Sequence, residues 1–287
     1  MKTVAIAGAS GFVGTHLTQF FTQHGYSVSK ISRQELSNAE LLCQKFNQTD
    51  IVINLSGANI IHRWNDEYKK ELYHSRIDTT QNIVTAIKNA SNKPKVFIST
   101  SAVGIYSNKQ INSEEECEYG KNFLARLCKT WESEALKAKD DTRVAIFRFG
   151  IVLGKDGGAL QSMLLPFKLG LGGTIGDGSQ YFSFVHIEDL KNAFKFVIEH
   201  EHLSGAFNLG APKPTTNKGL TKALGKTLHR PTLFPVPHFV LKLIYGEGAT
   251  VLTDGQSMIP QRLEENGFKF QFQTIEETIE NLLGEKS

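Results

Sequence analysis

Gly8, Gly11 and Gly14 recur at a spacing of three in Gly8-Ala9-Ser10-Gly11-Phe12-Val13-Gly14. This stretch follows the apolar run Val4-Ala5-Ile6-Ala7 and precedes a helix-like segment that stops at Gly25. Strand, glycine turn and helix in that order can cradle phosphates. Gly8 allows a sharp turn, Gly11 lets backbone approach a pyrophosphate, and Gly14 lets the helix pack close to the sheet. Ser10, Phe12 and Val13 complete the turn, and the helix N-terminus offers free N–H groups and a partial positive charge. The spacing is Gly-x-x-Gly-x-x-Gly rather than Gly-x-Gly-x-x-Gly, and a plain tight turn uses the same residues. The flanking strand and helix, and the place of the next strand, favour a dinucleotide site.

The end of the second strand bears on which dinucleotide. Ser27–Ile31 leads to Ser32-Arg33, with no acid before Glu35. An acid at that tip would bind the free 2′-hydroxyl of NAD, whereas a base accommodates the 2′-phosphate of NADP. The planar guanidinium of Arg33 suits phosphate, so NADP(H) is expected, weighed against a solvent-facing loop arginine. Asp50–Leu55 reads as a buried strand ending in Ser56-Gly57-Ala58. Leu55, Ser56 and Gly57 are expected to line the far ribose and the diphosphate, glycine letting backbone come close. Arg76 falls beside the apolar face Ile77, Thr80, Ile83, Val84 and Ile87 of a helix over about 65–90. It needs a partner, either a cofactor phosphate or an ion pair with Glu71 or Asp78.

The strand Lys95–Ser99 opens into Thr100-Ser101-Ala102-Val103-Gly104-Ile105-Tyr106. A hydroxyl cluster at the carboxyl edge of a central strand is where parallel sheets place chemistry. Ser101 and Tyr106 are the candidate catalytic residues. Tyr106 as a proton donor competes with an aromatic ring packed on a helix. His186 has a suitable unperturbed pKa. Arg63 and Trp64 read as a lid or as the cap of the following helix. Asn112–Tyr119, with Glu114, Glu115, Glu116 and Glu118, reads as an exposed acidic loop whose glutamates are solvated.

These residues sit at the ends of an α/β alternation: helices over about 36–47, 65–90 and 123–137, and strands over 143–149, 182–187 and 207–210. From Gly154 to Gly178 glycines multiply and the alternation lapses, so this stretch is expected to build the substrate side. Amphipathic helices over 217–228 and 238–245 and a last helix over 275–283 follow. The expected division is 1–153 for the dinucleotide and 154–287 mainly for substrate, with 183–210 returning to the sheet. A net charge of +3 over 287 residues provides no field for nucleic acid. Cys43, Cys117 and Cys128 lack metal-ligand spacing and suit a reducing compartment. Met1-Lys2-Thr3 runs straight into a strand, and no apolar run reaches transmembrane length. A cytoplasmic chain with a small-molecule substrate, no metal, and neither nucleic acid nor membrane as partner is expected.

Gly8–Gly14, Asn54–Ala58, Ser99–Tyr106 and Phe184–Leu190 together resemble the extended short-chain dehydrogenase/reductase superfamily. Arg148–Gly154, Leu164–Gly173, Phe207–Pro212, His229-Arg230-Pro231, Pro235-Val236-Pro237, Gly255-Gln256 and Pro260–Leu263 narrow the resemblance to its atypical, NAD-dependent epimerase/dehydratase-like group. The resemblance spans essentially the whole chain. It implies a Rossmann-type doubly wound parallel sheet with a smaller C-terminal substrate lobe, NADP binding, and cofactor contacts from Leu55, Ser56, Arg76 and Ile151. It implies a structural place for His186, behind the site. By superfamily analogy it also implies a homodimer through the helices near 65–90 and 123–137.

Typical members use a serine, a tyrosine and a lysine. Ser101 falls at the serine position. Counting back from Trp131-Glu132, the other two positions hold Leu124 and Cys128, which supply neither the proton nor the fixed charge. Three readings follow. One is an NADP-dependent oxidoreductase or epimerase-like protein whose proton passes through Tyr106, Ser101, His186 or water. Another is an NADP-binding sensor or regulatory protein without turnover. The third is a structural partner whose cofactor is only a folding prop.

Overall fold

Runs rich in valine, isoleucine and phenylalanine become the strands, as side chains that fill a pleated, buried surface should. The computed structural model describes residues 1–284. Its strands are β1 (Thr3–Ala7), β2 (Ser27–Ile31), β3 (Ile51–Asn54), β4 (Val96–Ala102), β5 (Ile111–Asn112), β6 (Arg143–Phe149), β7 (Ile151–Gly154), β8 (Phe184–His186), β9 (Gly205–Leu209) and β10 (Ser257–Met258). Six of them form one parallel sheet in the order β2-β1-β3-β4-β6-β9. Because β2 and β3 flank β1 on opposite sides, the order reverses between β1 and β3. A crevice for ligand opens at the carboxyl ends of strands at such a switch point.

The helices of the first part are α1 (Phe12–Gln23), the single turn α2 (Arg33–Leu36), α3 (Ala39–Phe46), α4 (Asp66–Asn89) and α5 (Phe123–Leu136). Those of the second are α6 (Gly158–Lys168), α7 (Ile187–Glu199), α8 (Asn217–Thr227), α9 (His238–Tyr245), α10 (Thr250–Thr253), α11 (Gln261–Glu265) and α12 (Ile275–Leu283). Side chains alternate across each strand, so the sheet has two apolar faces. Val4, Ile6, Ile53, Ile98 and Phe147 meet α1 and α7 through Leu17, Phe21, Leu190 and Phe194. Ala5, Val52, Phe97 and Ile146 meet α3, α4 and α5 through Leu42, Phe46, Ile83, Ile87 and Ala135. The sheet is therefore wound on both sides.

Three elements differ from the sequence expectation. The helix expected over 36–47 is interrupted, because the Asn38 side chain accepts from the N–H groups of Glu40 (2.9 Å) and Leu41 (3.2 Å) and starts α3 afresh. The glycine-rich stretch contains α6, which buries Leu160, Leu164 and Phe167 at helical spacing. Gly157-Gly158 at its start and Pro166 inside it conceal that pattern. The strand expected over 182–187 shortens to β8, which pairs with β7 outside the main sheet, whereas β9 joins that sheet beside β6. A separate core of Leu160, Leu164, Phe182, Leu220, Leu224 and Ile279 gathers α6, α8 and α12.

Asp189 in α7 is fully buried and accepts the N–H groups of Gln271 (2.8 Å) and Phe272 (3.0 Å), pinning the C-terminal strap. Burial pushes its carboxyl up from 3.8 to about 6, against the two backbone bonds. The folded chain thus holds this proton more tightly than the unfolded chain does. The resulting stabilisation is complete below the ordinary value of 3.8 and lost as pH rises through about 6. Urea unfolding across that window should show this fall in the wild type and lack it in Asp189→Asn. An unchanged slope in the variant would reject the assignment.

Candidate functional site

The glycine turn follows β1 and lies against the end of β3. Gly8 has φ +76°, and a Cβ there would stand 2.9 Å from the Leu55 carbonyl. Only a residue tolerant of the left-handed region and lacking a side chain meets both demands. Gly11 N–H donates to the Gly8 carbonyl at 3.1 Å, closing the turn. A Cβ on Gly14 would strike the Gly8 carbonyl oxygen and approach the Ala9 Cα to 2.7 Å, so α1 packs directly on the turn. Gly11 caps α1 without any side-chain bond, and no acid stands in the first turn. The first intrahelical bond is Thr15 N–H to the Gly11 carbonyl. The N–H groups of Phe12, Val13 and Gly14 precede it and face outward, beside the exposed Ser10 and Gly11. The Phe12 ring lies against Gly154 and Gly157, joining this end of α1 to the segment between β7 and α6. Ile151, at the start of β7, is half-buried against the C-terminal core.

At the tip of β2, Ser32 caps α2. Its N–H and hydroxyl both donate to Glu35 Oε2, at 2.6 and 2.7 Å, and its oxygen accepts the Glu35 N–H at 3.2 Å. The other Glu35 oxygen pairs with Lys45. Arg33 is exposed and, among the described residues, its side chain makes no hydrogen bond or ion pair. The tip therefore offers one uncommitted guanidinium beside an acid already neutralised by lysine.

Arg76 reaches from α4 to the end of β3. It donates to the carbonyls of Ala58 (3.0 Å) and Leu72 (3.2 Å), and its guanidinium carbon lies 5.4 Å from the Trp131 ring centre. Gly57 makes room for it: a Cβ there would be 2.9 Å from the guanidinium carbon. Asp78 pairs with His74 instead, and neither it nor Glu71 bridges to Arg76. Burial pushes the Arg76 pKa down. A half-buried charge normally has a counterion nearby, and among the described residues Arg76 has none.

The Ser101 side chain lies at the end of β4 with 2% of its surface exposed, and its hydroxyl has no partner; nor has the buried hydroxyl of Ser56 at the end of β3. Ser99, Ser257 and Thr278 share that condition, but Ser56 and Ser101 stand at adjacent strand ends in the crevice. Leu124 packs over Gly104. Burial and the Glu132 carboxylate push the Cys128 thiol up to about 11. The Ser101 hydroxyl and Arg76 lie near enough to oppose that shift, yet no bond of ordinary geometry joins Ser101 to the thiol. Cys128 is thus protonated at neutral pH.

The expectation that Tyr106 donates a proton meets an obstacle in this geometry. Its side chain is 1% exposed. The hydroxyl donates to Asn208 Oδ1 and accepts from Arg148 Nη1, each at 2.7 Å. A short 3₁₀ turn over Val103–Ile105 carries the ring inward, where it lies parallel to Tyr119. Arg148 in turn grips Glu132 with two bonds, of 2.9 and 2.8 Å. Burial holds the Tyr106 pKa far above the usual tyrosine value. The ring is committed to a structural network joining β4, α5, β6 and β9. The glutamate loop is also less solvated than expected: Glu114 is partly buried and accepts the N–H groups of Asn208 (2.7 Å) and Arg262 (3.3 Å). The signals for this network were charged residues at core positions, Arg148 within a buried strand and Glu132 on the inner face of α5.

His186 caps α7: Nδ1 accepts the Glu188 N–H at 3.0 Å and Nε2 donates to Asn281 at 3.1 Å, the tautomer following from these partners. Its ring stacks on Phe272, and burial lowers its pKa. Trp64 is buried, with Nε1 donating to the Ile60 carbonyl at 3.0 Å, and Arg63 donates to the Leu243 carbonyl at 2.7 Å, tying this loop to α9.

Comparison with known proteins gives the same architecture. Residues 4–210 match the model of the NAD dependent epimerase/dehydratase family, and residues 236–282 match a domain of unknown function. The chain is 37% identical to epimerase family protein SDR39U1 of Mus musculus, over 98% of this chain and 99% of that protein. It is 33% identical to epimerase family protein YfhF of Bacillus subtilis, over 99% and 98%. The crystal structure of human epimerase family protein SDR39U1 with NADPH matches with a TM-score of 0.91 at 33% identity, covering 98% of this chain and 99% of that one. With its switch-point crevice and glycine turn, the chain belongs to the NAD-dependent epimerase/dehydratase family of extended short-chain dehydrogenase/reductase-like proteins.

Proposed function

We propose that the chain binds NADP(H) and acts as an oxidoreductase or epimerase-like enzyme on a small carbonyl, hydroxyl or nucleotide-sugar-like substrate. The observation that carries this reading is the set of uncommitted groups around one crevice: the open N-terminus of α1, Arg76 without a counterion, and the orphaned hydroxyls of Ser56 and Ser101. They fit a ligand with a diphosphate at one end and a polar reacting group at the other. The human relative solved with NADPH supports the same ligand class.

In this reading Gly8, Ser10, Gly11, Phe12, Val13 and Gly14 hold the diphosphate on the α1 dipole. Arg33 meets the 2′-phosphate. Leu55, Ser56 and Gly57 line the ribose, Arg76 provides the missing counter-charge, and Ile151 closes the far side. When bound there, a nicotinamide cofactor would supply or accept the hydride. Ser101 orients the substrate oxygen. Tyr106 keeps the strand end in place, and the proton comes through water. Leu124, Cys128 and the occupied Tyr106 hydroxyl favour a second reading, a cofactor-binding sensor without turnover.

Calorimetric titration with NADPH, NADP, NADH and NAD tests the cofactor. Phosphorylated forms should bind more tightly. A charge-assisted bond of about 1.5–3 kcal/mol makes Arg33→Ala lose roughly 10- to 100-fold for NADPH and little for NADH. An unchanged NADPH-to-NADH ratio in the variant would remove Arg33 from the site. No binding of any of the four would sink the whole reading. Turnover of carbonyl compounds or nucleotide sugars by the NADPH-loaded protein then separates enzyme from sensor.

A further inference from the structure

Exposed apolar side chains concentrate in three segments of the C-terminal part. Leu165 stands on α6, with Leu169 at its C-cap and Leu171 just beyond. Leu233 and Phe234 lie in the loop after α8, and Phe239, Leu243 and Ile244 on α9. These side chains are 52–74% exposed. Apart from Met1, no other leucine, isoleucine, phenylalanine or methionine among the described residues is more than half exposed. Each helix pair, Leu165 with Leu169 and Phe239 with Leu243, is spaced i, i+4 and shares a face. Backbone bonds tie the segments together: Val236 N–H donates to the Thr174 carbonyl at 2.7 Å and Gly176 N–H to the Val236 carbonyl at 2.9 Å, while Gly170 lies against Pro231. Clustered apolar exposure on this scale marks an interaction surface.

The charges around it are mostly of one sign. Residues 202–246 contain no aspartate or glutamate, and neither do residues 157–176. Lys213 and Lys226 sit beside the glutamates of α12. Lys168, Lys218, Lys222, Arg230 and Lys242 are exposed and form no ion pair among the described residues. Lys218 flanks the 174–178 loop, whose one acid, the exposed Asp177, accepts from Ser179 and lies near His238, so a single carboxylate stands among these bases. A second copy on this face would set like charges against like. Six of these eight exposed apolar side chains are aliphatic and give nucleic-acid bases little to stack on. A surface that accepts leucine and phenylalanine and surrounds them with phosphates satisfies both features.

We propose that this face of the C-terminal part docks on an anionic lipid bilayer. The chain lies on such a surface without spanning it, since no described helix is long and apolar enough to cross. The sequence expectation of no membrane partner rested on the lack of a spanning run, a different property.

Cosedimentation of the full chain with vesicles tests this. Binding is expected to phosphatidylcholine vesicles containing phosphatidylglycerol, with little to phosphatidylcholine alone and a loss in high salt. Phe239→Ser/Leu243→Ser should abolish it. Arg230→Glu/Lys242→Glu should weaken it by at least roughly fivefold per charge. All four positions are exposed, and an unchanged circular dichroism melt verifies folding. Absence of binding, equal binding to the two vesicle types, or binding unaffected by both variants overturns the proposal. A dimer in sedimentation velocity that Phe239→Ser/Leu243→Ser dissolves, with no vesicle binding, assigns the face to a second copy instead.

Discussion

Gly14→Val is expected to abolish NADPH binding and to destabilise the fold by about 3 kcal/mol, the upper part of the overpacking range. The new side chain would meet only backbone, the Gly8 carbonyl on one side and the Ala9 Cα on the other. Backbone cannot rotate away as the end of a side chain can, so α1 must lift from the turn. That motion displaces the three free N–H groups that would hold the diphosphate. For a chain of this size the melting temperature should fall by roughly 5–10 °C. Gly25→Ala is the matching control. Gly25 also has a positive φ, +80°, but nothing lies within 4 Å of its added Cβ. It should cost about 1 kcal/mol of backbone strain and leave binding intact. Wild-type NADPH affinity in Gly14→Val would refute the cradle.

Glu132→Ala should be the more damaging change to stability, costing about 3–5 kcal/mol because it strands a buried guanidinium. The side chains of Arg148 and Glu132 are only 5% and 10% exposed and meet through two bonds. Burial alone would lower the Arg148 pKa, but the bonds and charge of Glu132 reverse this and raise it. Without the carboxylate, the Tyr106 hydroxyl is the one hydrogen-bond acceptor left to the Arg148 side chain among the described residues. The link from α5 through β6 to β9 then fails. Replacing both charges, in Glu132→Leu/Arg148→Met, should recover much of the loss, since an apolar pair of similar volume leaves no buried charge. Urea unfolding of the two variants decides the matter. A single-variant loss below about 1 kcal/mol would mean that water reaches Arg148 and that the pair is not truly buried.

The parts of this protein legible in its sequence are those governed by short-range geometry. The β1 turn and α1 follow from glycine spacing within one supersecondary unit. The bounds of α4, α5, α9 and α12 fall within a residue or two of the expected ones, because capping residues such as Asn65, Asn122 and Thr274 act on N–H groups two or three positions away. Even α6 has the right apolar spacing, masked by glycine and proline whose costs the neighbouring core offsets.

Tertiary structure alone decided matters that depend on partners distant in sequence. Tyr106 and Asn208 are 102 positions apart, and the Arg148–Glu132 pair comes from a strand and a helix. No local pattern states that a tyrosine just past a strand end will spend its hydroxyl there. Arg76 is similar: its sequence neighbours offered Glu71 and Asp78, and only the packed chain shows that neither reaches it while Gly57 and Trp131 enclose it. Local spacing marks where the proposed dinucleotide would lie, because helix ends and glycine turns carry their chemistry with them. Long-range packing decided which polar groups stay unspent for a ligand, because each buried donor or acceptor is settled by whatever the whole fold brings within about 3 Å of it.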